Sequence, residues 1–145
     1  MGERLLRSIS PSDKLFFMRR VFRTRTFTRW MRRVDLSDAT LCKAISEMED
    51  GLIDADLGGG VLKKRIALPG QGRRGGARTI VATNLGSRWF FLYGFAKNER
   101  VNIDERELRL FREVATDLLG LDDRQIVVAL SSGEIEKICH DHNQE

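Results

Sequence analysis

The chain has 145 residues, of which 41% are hydrophobic and 32% are charged, and its formal net charge is +4. This length suits a single domain that buries roughly two thirds of the surface its unfolded form exposes. No apolar run approaches the roughly 18 residues of a membrane span, and the N-terminus lacks the apolar core of a signal peptide. We therefore expect a cytoplasmic protein with no membrane partner.

Two cysteines, Cys42 and Cys139, lie far apart in the sequence. Neither has the spacing of metal ligands or sits in a disulfide framework, so we expect free thiols in a reducing compartment. We place Cys42 in the core or on a helix surface and Cys139 in a C-terminal tail. The acidic segments carry no histidine cluster, so we expect neither a metal site nor a cofactor.

The charges alternate in blocks along the chain. Residues 1–33 and 61–100 are basic, whereas 34–60 and 101–145 are acidic. This pattern predicts one positive and one negative face, and a field of that kind steers association with a polyanion. A set of ordinary solvated surfaces is the alternative interpretation.

The first half of the chain predicts one strand and two helices. Residues 1–17 show no steady period, and we treat them as a possible N-terminal extension. Residues 21–24 favour a strand, and 27–34 favour a basic helix. Ser37 is a plausible cap for a second helix, because apolar residues recur after it at helical spacing: Leu41, Ala44, Ile45 and Met48.

Three strand patterns follow, and turn residues separate them. Residues 61–68, 77–83 and 88–96 are rich in β-branched and aromatic side chains. An antiparallel meander is the economical topology for them. The glycine- and arginine-rich segment 70–76 between the first two strands predicts a mobile hairpin loop. It lacks the lysine and hydroxyl residue of a nucleotide phosphate loop.

A further helix opens at Asp104, with Glu107 three residues later as in a capping box. Its apolar stripe would cover one face of the sheet: Leu108, Phe111, Ala115 and Leu118. Residues 123–131 predict a last short helix, and 134–138 predict a strand or an extended arm. The expected fold is α+β, a small antiparallel sheet with two N-terminal helices and a C-terminal helix packed on it. The expected domain spans 18–121, followed by a short helix and tail at 122–145.

Cations occupy strand positions that should face solvent. Side chains alternate along a strand, so Lys63 and Arg65 share one face while Leu62 and Ile66 point inward with Lys64. Arg78 begins the next strand and Lys97 follows the aromatic strand. These four cations can converge on one concave patch. A sheet with one wet face also shows some Lys and Arg without any function.

Such a patch suits cleavage of RNA by its own 2′-hydroxyl. The reaction needs a proton acceptor, charge to stabilise the phosphorane-like transition state, and assistance to the leaving 5′-oxygen. His140 and His142 lie near the C-terminus, outside the predicted fold, so either this tail folds back onto the site or the proton acceptor is not a histidine. Lys63 is the best-placed alternative acceptor, because neighbouring cations disfavour the charged form of a lysine.

The remaining roles complete this hypothesis. Arg65 and Arg78 would hold the scissile phosphate, with Lys97 nearby. The expected contacts to the RNA backbone come from four further cations: Lys64, Arg73, Arg74 and Arg100. The aromatic residues of 88–96 alternate in a way that is more typical of core packing than of base stacking.

These positions carry a resemblance to a known family. A basic pair in an early strand, a glycine-rich turn, GGAR opening the next strand and an aromatic strand ending in AKNE together resemble RelE/HigB-like type II toxins, over about 21–119. By resemblance, Lys63 and Arg65 match the paired strand cations, Arg78 matches the arginine after the turn, and 97–100 match the last basic cluster. The best-studied members carry a tyrosine or histidine just after that cluster, whereas 101–104 here read VNID.

The resemblance implies a toxin that cuts messenger RNA on the ribosome without a metal, and so inhibits translation. It also implies a cognate antitoxin, often with a helix-turn-helix segment, as well as ribosome and mRNA as partners. A ParE-like or degenerate relative that binds a protein or nucleic acid without cutting is the alternative.

Overall fold

The computed structural model describes residues 19–70 and 72–140, with only the backbone for 72–75. Within these residues, no helix combines the length and apolar character needed to cross a bilayer. The described elements are, in chain order: β1 (Arg20–Thr24), α1 (Arg25–Arg33), α2 (Asp38–Glu49), β2 (Ala55–Gly58), β3 (Val61–Leu68), β4 (Gly72–Thr83), β5 (Arg88–Ala96), α3 (Glu105–Leu119), α4 (Asp123–Ser132) and β6 (Ile135–Ile138).

The strands form one mixed sheet in the order β2-β3-β4-β5-β1-β6. β3, β4 and β5 make the predicted antiparallel meander, and the α+β class with a small, mostly antiparallel sheet is confirmed. One pairing differs, because β1 runs parallel to β5. The two helices that follow β1 carry the chain across to the opposite edge of the sheet, so the first strand can lie beside the last strand of the meander in the same direction.

The two N-terminal helices cover one face of the sheet. The hydroxyl of Thr24 accepts a hydrogen bond from the N–H of Phe27 and caps α1, which therefore begins earlier than predicted. Ser37 caps α2 in the same way, as expected. The apolar sides of both helices are buried against the sheet, in a core that includes: Val21, Phe27, Trp30, Met31, Leu41, Ala44, Ile45, Met48, Leu62, Ile66, Trp89 and Phe91.

The two C-terminal helices cover the other face. Asp104 and Glu107 form the predicted capping box, in which each side chain accepts a hydrogen bond from the other residue's backbone N–H. The predicted stripe of α3 packs against a second core. The buried members of that core include Phe22, Val61, Ile80, Phe90, Ala115, Ile126 and Ile135.

Two segments differ from expectation because their pairing partners lie elsewhere in the chain. The short and polar β2 was not predicted, and it is a strand because β3 pairs with it. The predicted loop 70–76 is shorter than expected, because Leu68 pairs with Gly72 and the backbone of β4 begins there. For residues 134–138 the sequence predicts either a strand or an extended arm. In the structure this segment forms β6, which pairs with β1.

The expectation of free thiols is wrong in this structure. Cys42 on α2 and Cys139 after β6 form a disulfide, although 97 positions separate them in sequence. Strand order explains the pairing: β6 lies at the sheet edge beside β1, and Cys139 joins the same core as α2. The disulfide therefore ties the last strand to the second helix.

Candidate functional site

The β3–β4 register places three predicted cations on one side of the sheet. Arg65 lies directly opposite Arg78, and Lys63 lies two residues before Arg65, opposite Ile80. Side chains of directly opposed residues lie about 5 Å apart at Cβ on the same face, and those two residues apart in a strand share that face too. Lys63, Arg65 and Arg78 therefore form a cationic patch on the face of the sheet that α3 partly covers.

These cations have little compensation from carboxylates. Within the described residues, the one ion pair that any of them makes is a long contact of 3.8 Å between Arg65 Nε and Asp54 Oδ2. Arg65 remains 63% exposed, and Lys63 and Arg78 are half-buried. Opposed like charges destabilise a strand pair, so the Arg65–Arg78 pairing is unfavourable for the sheet alone. This pair of opposed arginines suits a surface that binds an anion.

The patch continues onto the aromatic strand β5. Arg78 lies opposite Phe95, and Ile80 lies opposite Tyr93. The Arg100 guanidinium stands over the Phe95 ring, 5.5 Å from its centroid, and donates a 3.0 Å hydrogen bond to the Tyr93 hydroxyl. Arg100 therefore borders the patch on the side away from β3.

The N-terminus of α3 fixes the position of Arg100. Its guanidinium donates to both oxygens of Glu107, at 2.6 and 2.9 Å. Hydrogen bonds from Arg100, and then from the backbone N–H of Asp104, hold the pKa of Glu107 below its ordinary value. The same contact with Glu107 raises the pKa of Arg100. The capping box and the guanidinium thus share one carboxylate, which orders this edge of the site.

Lys64 departs from the expected role in RNA binding. It lies on the opposite face of β3, where its ammonium contacts the Glu47 carboxylate at 2.9 Å and the Leu52 carbonyl at 2.9 Å. Its side chain is 8% exposed. The neighbours Leu62 and Ile66 already predict this inward direction, and Lys64 is a structural cation that braces α2 against the sheet.

The structure relates the other predicted site residues to the cationic patch less directly. Lys97 is exposed just beyond β5, and its backbone N–H donates to the Gly76 carbonyl. Arg73 and Arg74 belong to the start of β4, and their side chains lie outside the described residues. The predictions for His142 and for the extension 1–17 also fall outside the described residues.

Two residues of this site were not assigned by sequence reasoning. The alternation of β5 predicts Tyr93 in the core with the other aromatics, yet its hydroxyl reaches Arg100 beside the patch. The capping-box pattern predicts Glu107 as a helix cap alone, yet this residue also anchors Arg100. The local signal for Tyr93 is its hydroxyl group, which no other side chain of β5 carries. No group of three or more metal-binding side chains occurs in the part of the chain that the structure describes.

Comparison with known families identifies the following match. The model described as the RelE toxin of the RelE/RelB toxin-antitoxin system matches residues 19–138, from just before β1 to the end of β6. No curated protein matches the chain at a significant level.

Proposed function

The chain belongs to the RelE toxin family of toxin-antitoxin systems, and on that premise we propose that it is a ribosome-dependent, metal-independent endoribonuclease that cuts mRNA and inhibits translation. The supporting observation is the Arg65–Arg78 pair with Lys63 beside it. Three cations lie on one face and, among the residues that the structure describes, make a single long contact to a carboxylate. They complement the negative charge that develops on a scissile phosphate.

In the proposed reaction, Lys63 takes the proton of the 2′-hydroxyl. The 2′-oxygen attacks the adjacent phosphorus, the bond to the 5′-oxygen breaks, and a 2′,3′-cyclic phosphate forms. Arg65 and Arg78 stabilise the extra negative charge of the transition state, because each guanidinium can donate two hydrogen bonds to phosphate oxygens. A general acid must protonate the 5′-oxygen. The protonated Lys97 and the Tyr93 hydroxyl are the candidates at this edge.

The remaining cations would hold the RNA backbone. We propose this role for Arg73, Arg74 and Arg100. Lys64 is left out, because Glu47 and the sheet enclose it. Phosphate contacts position a nucleic acid without reading its sequence, so these residues should change affinity more than cleavage preference.

The test is cleavage of a defined mRNA on purified ribosomes in the presence of EDTA. The variant Lys63→Met/Arg65→Gln/Arg78→Gln should lose cleavage by more than about 10³-fold, since one transition-state donor is commonly worth about 10²–10³. Arg109→Gln/Arg124→Gln/Lys137→Gln removes the same charge from exposed positions elsewhere and should cleave normally. Full cleavage by the patch variant, or a requirement for a divalent ion, would contradict the proposal.

Lys63→Ala tests the proton acceptor separately. A retained arginine pair should still bind RNA, so we expect kcat to fall strongly while binding changes little. If Lys63→Ala cleaves at the full rate, Lys63 is not the acceptor.

A second candidate is a ParE-like or degenerate relative that binds a protein or nucleic acid target without cutting it. The segment after Arg100 favours it, because 101–104 offer no tyrosine or histidine and Val101 is 89% exposed. The same ribosome assay separates the two, since this relative would bind its target and leave the mRNA intact.

The family implies an antitoxin as partner. We propose that this antitoxin carries a helix-turn-helix segment, and that the toxin acts in the cytoplasm, where ribosomes and mRNA are found. Cytoplasmic thiol pools keep most cysteines reduced, so at that location the Cys42–Cys139 pair would be exposed to reduction.

A further inference from the structure

A second cationic site lies beside the patch, in a cleft between α1 and the end of β5. The cleft has a volume of about 270 Å³ and is lined by Arg29 and Arg33 of α1, by Arg100, and by Glu99. Trp30 and Phe95 also line it. Among the described residues that line this concavity, three carry guanidinium groups and one carries a carboxylate.

The two helix arginines are available to a ligand. Arg29 and Arg33 are exposed, and within the described residues neither makes an ion pair or side-chain hydrogen bond, whereas Arg100 is engaged by Glu107. Their direction follows from the helix period, because α1 buries Phe27, Trp30 and Met31 against the sheet and turns its arginines outward. A favourable interaction with the helix dipole accounts for a cation in the last turn, but not for Arg29 in the middle of the helix.

The cleft is continuous with the cationic patch. Arg65, Arg78 and Phe95 are successive partners across β3, β4 and β5. Neighbouring strands lie about 4.8 Å apart, so this row crosses roughly 10 Å of sheet. Arg100 stands over Phe95 at the end of the row and also lines the cleft.

We propose that the cleft formed by Arg29, Arg33 and Arg100 binds a phosphodiester group of single-stranded RNA, outside the scissile position. This proposal rests on the proposed function. An RNA chain that is bound across Arg65 and Arg78 would continue over Phe95 into this cleft. Guanidinium groups suit the ligand, because their planar forks match phosphate oxygens. The phosphate can belong to mRNA or to ribosomal RNA, and the experiment separates these sources.

The test compares Arg29→Gln/Arg33→Gln with Arg109→Gln/Arg124→Gln, which removes the same charge from exposed positions on α3 and α4. Binding to a labelled, 2′-deoxy-blocked oligoribonucleotide is measured over a range of KCl concentrations. Each phosphate contact contributes about 0.7 to the salt slope of a single strand, so the cleft variant, which loses one phosphate contact, should lose about 0.7 of slope and about tenfold in affinity at low salt. The control variant should keep both.

Binding to vacant ribosomes identifies the source of the phosphate. Weaker binding to the oligoribonucleotide assigns the cleft to mRNA, and weaker binding to ribosomes alone assigns it to ribosomal RNA. The cleavage assay should then show a raised KM with kcat unchanged. Arg29→Lys/Arg33→Lys keeps the charge and should retain most of the slope.

Two results would overturn the site. One is unchanged binding of the cleft variant to both RNA and ribosomes, and the other is an equal loss in the control variant, which would indicate a general field effect. Both readouts measure binding, so they remain decisive if the wild-type protein fails to cleave. A wild-type protein that does not cleave would contradict the proposed nuclease activity. The binding measurements would still test the phosphate site in the cleft.

Discussion

At the scale of single residues, Trp30 lies directly against the backbone of β5 at Gly94. A Cβ atom added to Gly94 would stand 2.3 Å from Cζ3 of Trp30, which is far inside van der Waals contact. The indole ring is part of the core beneath α1 and has little room to move. The contact explains why the aromatic strand has a residue without a side chain at this position.

We therefore expect Gly94→Ala to lower the free energy of unfolding by about 2–3 kcal/mol, as overpacking of a core does. Urea unfolding followed by tryptophan fluorescence measures the change. Gly86→Ala is the matched control, because its nearest contact would be 3.5 Å from the Asn84 side chain of its own turn. An effect on the control as large as that on Gly94 would contradict the explanation.

The Lys64–Glu47 pair should affect stability at acid pH. The hydrogen bond from Lys64 is the main cause that holds the pKa of Glu47 below its ordinary value. A carboxyl whose pKa is lower in the folded state stabilises the fold fully above its unfolded pKa of about 4.3. That contribution is lost as the pH falls through the folded pKa.

Lys64→Met should therefore show a shallower loss of unfolding free energy than the wild type as the pH falls below about 4.3. The comparison needs urea unfolding curves between pH 7 and pH 3, with Lys137→Met as a control at an exposed position of β6. Parallel profiles for the wild type and Lys64→Met would show that the pair is not a source of the acid sensitivity.

At the scale of elements, β6 and α2 are connected covalently as well as by packing. The Cys42–Cys139 bond closes a loop with a sequence separation of 97. Closing a long loop restricts the unfolded chain, and native disulfides commonly contribute about 2–5 kcal/mol. The C-terminal strand should therefore be the element most affected by reduction.

Reduction with dithiothreitol should lower the melting temperature of the wild type, and Cys42→Ser/Cys139→Ser should melt at the reduced temperature with or without the reagent. Hydrogen exchange should show the largest loss of protection in β6. If dithiothreitol lowers the melting temperature of the double variant as well, its effect does not act through this bond.

At the scale of the whole molecule, the last helix and strand are part of the central fold. β6 pairs with β1, whose other neighbour is β5. Ile126, Ile135 and Ile138 are each 2% exposed. The sequence suggested a domain ending at 121, but this packing leads us to propose a folding unit that extends to Ile138.

A chain that ends at Leu121 should fail to fold cooperatively. It loses three buried isoleucines at about 1.5–3 kcal/mol each, and a domain has only about 5–15 kcal/mol in all. A chain that ends at His140 keeps every described residue of the C-terminus and should unfold as the full chain does. Circular dichroism and urea titration of both chains test this, and a cooperative transition in the shorter one would restore the boundary at 121.

Much of the fold could be predicted because its signals are local. Ser37, Asp104 and Glu107 cap helices through contacts within three residues. The alternation in β3 separates Lys63 and Arg65 from the inward side chains without knowledge of any partner strand. The meander followed from three apolar runs joined by short turns.

The rest depended on contacts between distant parts of the chain. Strand order placed β6 beside β1, and so brought Cys139 to Cys42. It also decided that Arg29 and Arg33 share a cleft with Arg100, some seventy positions away.

The sequence by itself determined most of the helices and strands, which of their faces are apolar, and that Lys63 and Arg65 stand on the opposite face of β3 from Leu62 and Ile66. Only the tertiary structure decided which cations meet one another and which meet a carboxylate. The physical reason is that periodicity sets the direction of a side chain relative to its own backbone, whereas its neighbours come from strand order and packing.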